Sequence, residues 1–347
     1  MPHPEPMNAL LDRIPALLAW IRRYPGLIAL FGFCSGLASF LLVDRQAHLA
    51  KVLGVVLLVS WLWLMLENLL RERIARRFGF ELPLPLLRYA TQMIHQESLF
   101  FVLPFFLITT TWNSGQLLFS GLLAAAALVS ITDPLYYRWL APRRWLLLVF
   151  HSLALFAVML TALPIIFHLS TPQSYGIALT LATLLALPSL PGLIGGAGWR
   201  RTLALALLPL ALAGGGWMAR VWVPPATLWL ADVAISDRFD GQLRTPGEPL
   251  TTVTLAQLQD DGLYAYTAIN APRGLNERIY HLWQHNGREV DRIALDIHGG
   301  RKEGYRAWTH KLNFPNDPQG RWQVRVVTEA GQMIGVLRFD VVDAAAK

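Results

Sequence analysis

Hydrophobic positions in the first two-thirds of the chain gather into long runs, and in the last third they fall into alternation with polar ones. A membrane-crossing helix needs about 17–25 apolar residues. Seven runs are candidates: Gly26–Val43, Val52–Leu70, Ser98–Trp112, Gln116–Thr132, Trp145–Leu169, Tyr175–Gly195 and Thr202–Ala219. The third is short, carries Pro104 and is read as starting as early as Thr91. The sixth carries Pro188 and Pro191, which predicts a kink. Six spans is the competing count. Ahead of the first run, Leu10, Leu11, Ile14, Leu17, Leu18 and Ile21 recur at helical spacing beside Arg13, Arg22 and Arg23. That pattern predicts an amphipathic segment over 1–25 lying on a membrane surface. It lacks the early positive charge of a signal peptide, so the segment is expected to be retained.

The last long run, Thr202 to Pro225, contains Arg220 and closes on Pro224 and Pro225. Beyond it, period two takes over, with turn signals between the runs. Strands are expected at Leu230–Ser236, Leu263–Ile269, Arg278–His285, Val290–Ile297, Tyr305–Leu312, Arg321–Thr328 and Met333–Val342, with Thr251–Leu258 ambiguous. Asn286-Gly287 between two of them is a type I′ hairpin signal. Seven or eight short strands joined mostly as hairpins predict an antiparallel, immunoglobulin-like β-sandwich. The expected architecture is therefore a polytopic α-helical membrane bundle of about seven helices followed by an all-β domain. Its boundaries are an amphipathic segment 1–25, a helical domain 26–219, a linker 220–228 and the sandwich 229–347.

Composition supports the division. Only 15% of the 347 residues are charged and 54% are hydrophobic, whereas soluble domains carry roughly 25% charge. Residues 1–219 hold 15 Lys and Arg against 8 Asp and Glu, and residues 220–347 hold 15 against 15. The basic surplus thus belongs to the apolar half, and the balanced second half offers no nucleic-acid footprint. Summing Lys and Arg over alternate connections between the seven runs puts thirteen on one side and two, Arg45 and Lys51, on the other. Positively charged connections stay in the cytoplasm, so the N-terminus is expected inside and the sandwich in the periplasm of a bacterial inner membrane. The single cysteine, Cys34, excludes an internal disulfide.

Candidate chemistry is sparse. Glu67, His95, Glu97, Asp133 and His151 fall at or near run ends on the basic side, and ionisable groups at membrane depth are functional candidates. Headgroup-level helix capping, or pairing with the abundant arginines, is the stronger reading of them. His95 and Glu97 are two apart, on different faces of a helix, so they do not share a metal. No zinc-protease, phosphate-loop or nucleophile-elbow motif is present, and no cofactor is expected. In the β half, His281, Trp283 and His285 share a strand face. The two histidines lie roughly 13 Å apart along the strand, too far for one zinc. At least two of Trp283, Trp308 and Trp322 are expected in the core. Arg301, Lys302, Tyr305, Arg306 and Trp308 form a candidate partner surface for a protein or an anionic glycan.

The segments HLWQHNGREV, GYRAWTHK and GRWQVRVVTEAGQMIGVLRFDV carry a recognisable pattern of spaced anchors. These are Trp283, Trp308 with Lys311, Gly320 with Trp322 and Val324, and Phe339 with Val341. Over roughly residues 263–342 the chain resembles the bacterial domain of unknown function 2914. QMIHQESLFFVLPFF and SITDPLYYR, ahead of it, resemble Gram-negative inner-membrane proteins carrying such a domain. The resemblance implies an envelope setting and brings no activity or catalytic residue. The expected function is a non-enzymatic envelope binding or signalling protein whose partners are the lipid bilayer and a periplasmic protein or glycan. A transporter or membrane enzyme using the polar cluster is the alternative.

Overall fold

The computed structural model describes residues 84–187, 190, 194 and 198–343, with isolated positions 34, 38, 55, 58 and 59 before them. The amphipathic segment, Glu67 and all but those isolated positions of the first two apolar runs lie outside the described residues.

Helix α1 spans Leu84–Thr109 and α2 spans Gln116–Ile131. A π-helical segment, Pro134–Leu140, leads to α3, Arg144–Phe167. Then come α4, Thr171–Ala186, and α5, Trp199–Met218, which runs into a 3-10 turn at Ala219–Trp222. The core of this unit is aliphatic and aromatic, built on Phe101, Phe106, Leu123, Val158 and Tyr175. Short connections make successive helices run up and down. The 110–115 and 168–170 connections and the end of α5 face the β domain. The π-helical segment and the start of α5 face away from it.

The expected seven-helix membrane bundle is not found among the described residues. Among the described residues two helices are long and apolar enough to cross a membrane, Arg144–Phe167 and Trp199–Trp222. A third qualifies only if Gln116–Ile131 and Pro134–Leu140, bent by 99°, count as one broken span. The reasons are local. α1 starts well before Thr91, and Arg88, Gln92, His95, Gln96 and Glu97 interrupt its apolar surface. α2 has 16 residues and stops ahead of Asp133-Pro134, where the ring removes an amide donor and turns the chain. α4 also has 16 residues.

The β domain holds two sheets. One has the order β1 (Trp229–Ser236), β5 (Leu263–Asn270), β8 (Tyr305–Lys311). The other has the order β4 (Thr252–Thr254), β10 (Met333–Val342), β9 (Gly320–Thr328), β6 (Asn276–His285), β7 (Arg288–His298). A two-residue hairpin, β2 (Phe239–Asp240) with β3 (Thr245–Pro246), and a short helix α6 (Leu255–Asp260) complete it. The domain is not wholly antiparallel, because β4 pairs parallel with β10. The ambiguous stretch 251–258 resolves into strand then helix, where Thr254 caps α6 and accepts from the Gln257 backbone nitrogen. Asn286 and Gly287 both take positive φ, 49° and 81°, as the I′ turn requires. Trp283, Trp322 and Phe339 are fully buried between the sheets, with Trp322 stacked on Phe339 at 5.9 Å.

Candidate functional site

Three places bring chemistry-bearing side chains together. The first lies inside the helical unit, nearer the end that faces away from the β domain. His95 Nδ1 sits 2.8 Å from the Tyr136 hydroxyl, and His95 Nε2 sits 3.2 Å from His151 Nδ1. His95 is fully buried and packs edge-on against Phe150. Beside this row, Gln92 Nε2 donates to Asp133 Oδ1 and to the Ser130 carbonyl, both at 3.0 Å. Gln96 Nε2 donates to the same carbonyl, at the frayed end of α2. His95 and His151 therefore meet, whereas Asp133 bonds Gln92 beside that row. Glu97 is half-buried on another face of α1, as a two-residue step demands. Among the described residues no three His, Cys, Asp or Glu side chains converge on a metal position. Tyr136 and the two glutamines escaped sequence reasoning because nothing in their spacing foretold the bend at Pro134.

The second place is the outer face of the three-stranded sheet. Strand alternation divides the candidate surface. Tyr305 packs against the core and edge-on to His298. Arg306 and Trp308 project outward. Trp308 stacks on Phe239 at 4.5 Å, and Tyr264 stacks on His310 at 3.9 Å. Phe239 bridges the two stacks, at 5.5 Å from Tyr264. Arg306 donates to the Leu243 carbonyl and to Glu303, and Arg301 lies over the Tyr305 ring at 5.3 Å. Lys302 is exposed in the β7–β8 connection, which crosses from one sheet to the other rather than closing a hairpin. The short β2–β3 hairpin supplies Phe239 and was not foreseen, having only two residues per strand.

Inside the sandwich, His281 takes no part in that surface. It is a buried pin, 3.1 Å from Thr267 Oγ1 on one side and 3.1 Å from Thr309 Oγ1 on the other. Trp283 Nε1 donates to the same Thr309 oxygen at 3.2 Å. Burial pushes the His281 imidazole down to about 3, so it is neutral. His285 stacks on Trp322 at 4.6 Å and bonds the Gln319 carbonyl.

The third place is the junction of the two halves. Gln116 Nε2 donates to the Met333 carbonyl at 2.8 Å, and Gln332 Nε2 donates to the Val223 carbonyl at 2.9 Å. Arg220 Nε donates to the Ala330 carbonyl at 3.0 Å. Glu277, on β6, is buried against the start of α4 and accepts from both the nitrogen and the hydroxyl of Thr171. Desolvation raises its carboxyl to about 7, against the pull of the two Thr171 bonds and with a further push from Glu329. A sequence shows Glu277 only as a polar residue at a strand start.

Exposed tryptophans gather at both ends of the helical unit. Trp112, Trp217 and Trp222 lie at the end facing the β domain, and Trp139, Trp145 and Trp199 lie at the other. Between Trp199 and Trp217, helix α5 has no buried residue, and Leu203, Leu207, Leu210 and Leu212 are all exposed.

The model of a family of unknown function, DUF5924, matches residues 7–265, most of the chain. A second model, of the protein of unknown function DUF2914, matches residues 276–341. The border between the two matches falls inside the β domain: β1 to β4 and only the first three residues of β5 lie in the first match, and β6 to β10 lie in the second. No curated protein and no solved structure matches the chain.

Proposed function

We propose that this chain, which belongs to the DUF5924 family of unknown function, is a non-enzymatic binding or signalling protein of the bacterial inner membrane. Its helices lie in the bilayer, and its β domain stands on the periplasmic side. The observation that carries this reading is α5. It is apolar beyond Arg201 and has no buried residue, with Leu203, Leu207, Leu210 and Leu212 exposed, a surface that water does not tolerate. It is bounded by Trp199 and Trp217, roughly 27 Å apart at 1.5 Å per residue, close to the thickness of a hydrocarbon core. Tryptophans favour the two interfaces of a bilayer.

Sidedness follows from charge. Arg88, Arg138, Arg143, Arg144, Arg200 and Arg201 all lie at the end facing away from the β domain. The connections 110–115 and 168–170, which face it, contain no lysine or arginine. Positive connections stay in the cytoplasm, which supports a periplasmic β domain without any count of spans. The outer face with Trp308, Phe239, Tyr264 and His310 is the partner surface, for a protein or a glycan. The bonds at the junction tie β6 and the β9–β10 hairpin to the helices.

A photo-crosslinking residue in place of exposed Leu243, beside Arg306 on that face, in the full-length protein expressed in its own cells, tests the binding reading. A discrete adduct that disappears when Arg306 and Phe239 are replaced supports it, and absence of any adduct overturns it. A second reading rests on the His95–His151–Tyr136 row, a hydrogen-bonded chain suited to moving protons in a transporter or membrane enzyme. Transport or turnover that survives removal of residues 229–347 and fails in His95→Phe would favour that one.

A further inference from the structure

Between the β domain and the ends of the helices runs a groove of about 630 Å³. One wall is the outer face of the five-stranded sheet, and the other holds Ser114, Gly115 and Trp222. Strand register lays two rows of side chains across the sheet wall. Arg292, Leu282, Arg325 and Val336 form one row. Glu289, Gln284, Gln323 and Arg338 form the next.

Most polar groups of these rows are satisfied within the wall. Arg292 is held by Glu289 through two bonds of 2.9 and 3.3 Å, and Gln323 donates to Gln284 at 3.0 Å. Arg325 and Arg338 are different: among the described residues neither side chain has an ion pair or hydrogen bond. Arg325 stands opposite Val336 and Arg338 opposite Gln323, which makes the two arginines a diagonal pair about 7–8 Å apart, within reach of each other's long side chains. Two guanidinium forks at that spacing can close on one phosphate, each with paired N–H donors. Counting Arg292 with Glu289 as neutral, the groove carries two uncompensated positive charges.

We infer that this groove binds the phosphate of an anionic phospholipid headgroup, gripped by Arg325 and Arg338 with Trp222 at its lip. The inference rests on the membrane reading above, which sets the groove at the level of the tryptophans facing the β domain, where headgroups lie. A polar floor suits a headgroup and not an acyl chain. The two free charges favour a headgroup of net negative charge, because the amine of a zwitterionic one would face the same guanidiniums.

Native mass spectrometry of the full-length protein in mild detergent, with phosphatidylglycerol or phosphatidylcholine added, tests it. The wild type should retain phosphatidylglycerol in preference. R325Q/R338Q should lower that retention about tenfold or more, since each lost bond is charge-assisted. R143Q/R144Q, at the opposite end, should leave it unchanged. R338Q alone, at an exposed position, gives the same direction without disturbing the sheet. Equal retention by wild type and R338Q, or no preference between the lipids, overturns the inference. Displacement by millimolar inorganic phosphate would assign the groove to free phosphate and overturn the lipid as its occupant. Protein that resists alkaline extraction from membranes yet shows no lipid preference sinks the groove and spares the membrane reading. Protein that washes off sinks both.

Discussion

The backbone nitrogen of Thr171 donates to Glu277 Oε2 at 2.7 Å, and the Thr171 hydroxyl adds a second bond at 3.1 Å. The first turn of a helix has amide groups without intrahelical partners. Here a carboxylate 106 residues further along the chain supplies one. The same contact ties β6 to α4, and so the β domain to the helices.

This latch titrates. The Glu277 carboxyl is raised from 4.5 to about 7 by burial, so the neutral form favours the folded protein. Protonation leaves Oε2 to accept both Thr171 bonds and puts the hydrogen on Oε1, which has no partner among the described residues. Stability from this group is fully present below pH about 4.5 and is lost as pH rises through about 7. The size of the loss is on the order of 3 kcal/mol at most. The melting temperature of Glu277→Gln minus that of the wild type should therefore grow between pH 5 and 8. A constant difference would show that Glu277 is ionised throughout.

The polar pin has the opposite sign. His281 is held near 3, well below its ordinary 6.5, so its contribution is present above 6.5 and is lost as pH falls toward 3. Thr309→Val removes the partner of both His281 Nδ1 and Trp283 Nε1. Each orphaned donor or acceptor costs about 1–3 kcal/mol. Chemical denaturation followed by tryptophan fluorescence should show the lower midpoint, and an unchanged midpoint would mean the pin carries no weight.

The tryptophans separate by role. Trp283→Ala and Trp322→Ala each empty a fully buried site and should cost about 3–5 kcal/mol. Trp308→Ala breaks an outer-face stack and should cost about 1 kcal/mol while abolishing partner binding. Paired stability and crosslinking measurements check this, and equal destabilisation by all three would contradict it.

Gly274 holds φ at 86° beneath His168, whose own φ is 57°. A Cβ there would stand 3.2 Å from the imidazole. Gly274→Ala should loosen the junction, at a cost of about 1–2 kcal/mol from the backbone alone. Faster amide hydrogen exchange around Thr171 and Glu277, with the strands of the sandwich unchanged, is the expected readout.

Much of the β domain was legible in the sequence because strands write themselves locally. The alternation at Leu263–Ile269 and the Asn286-Gly287 turn need no distant partner to be recognised. The helical half misled for the same reason. Apolar runs at 116–132 and 175–195 look like whole spans, yet α2 is turned by Asp133-Pro134 and α4 is described as a helix only to Ala186. His95 and His151 could be singled out as misplaced polar residues, but their meeting depends on the packing of α1 on α3. The Thr171–Glu277 latch and the Arg325–Arg338 pair are tertiary facts with no local signature. The parallel β4–β10 pairing is another, since it joins strands some 80 residues apart.

The central claim is that the helices lie in a membrane with the β domain on the side away from the cytoplasm. Cys34→Ser removes the only native thiol, and single cysteines at Asp317 and Arg143 then report the two ends. In spheroplasts, a membrane-impermeant maleimide should label Asp317→Cys at once and Arg143→Cys only after lysis. Labelling of Arg143→Cys in intact spheroplasts with Asp317→Cys protected would contradict the account, as would recovery of the protein in the soluble fraction.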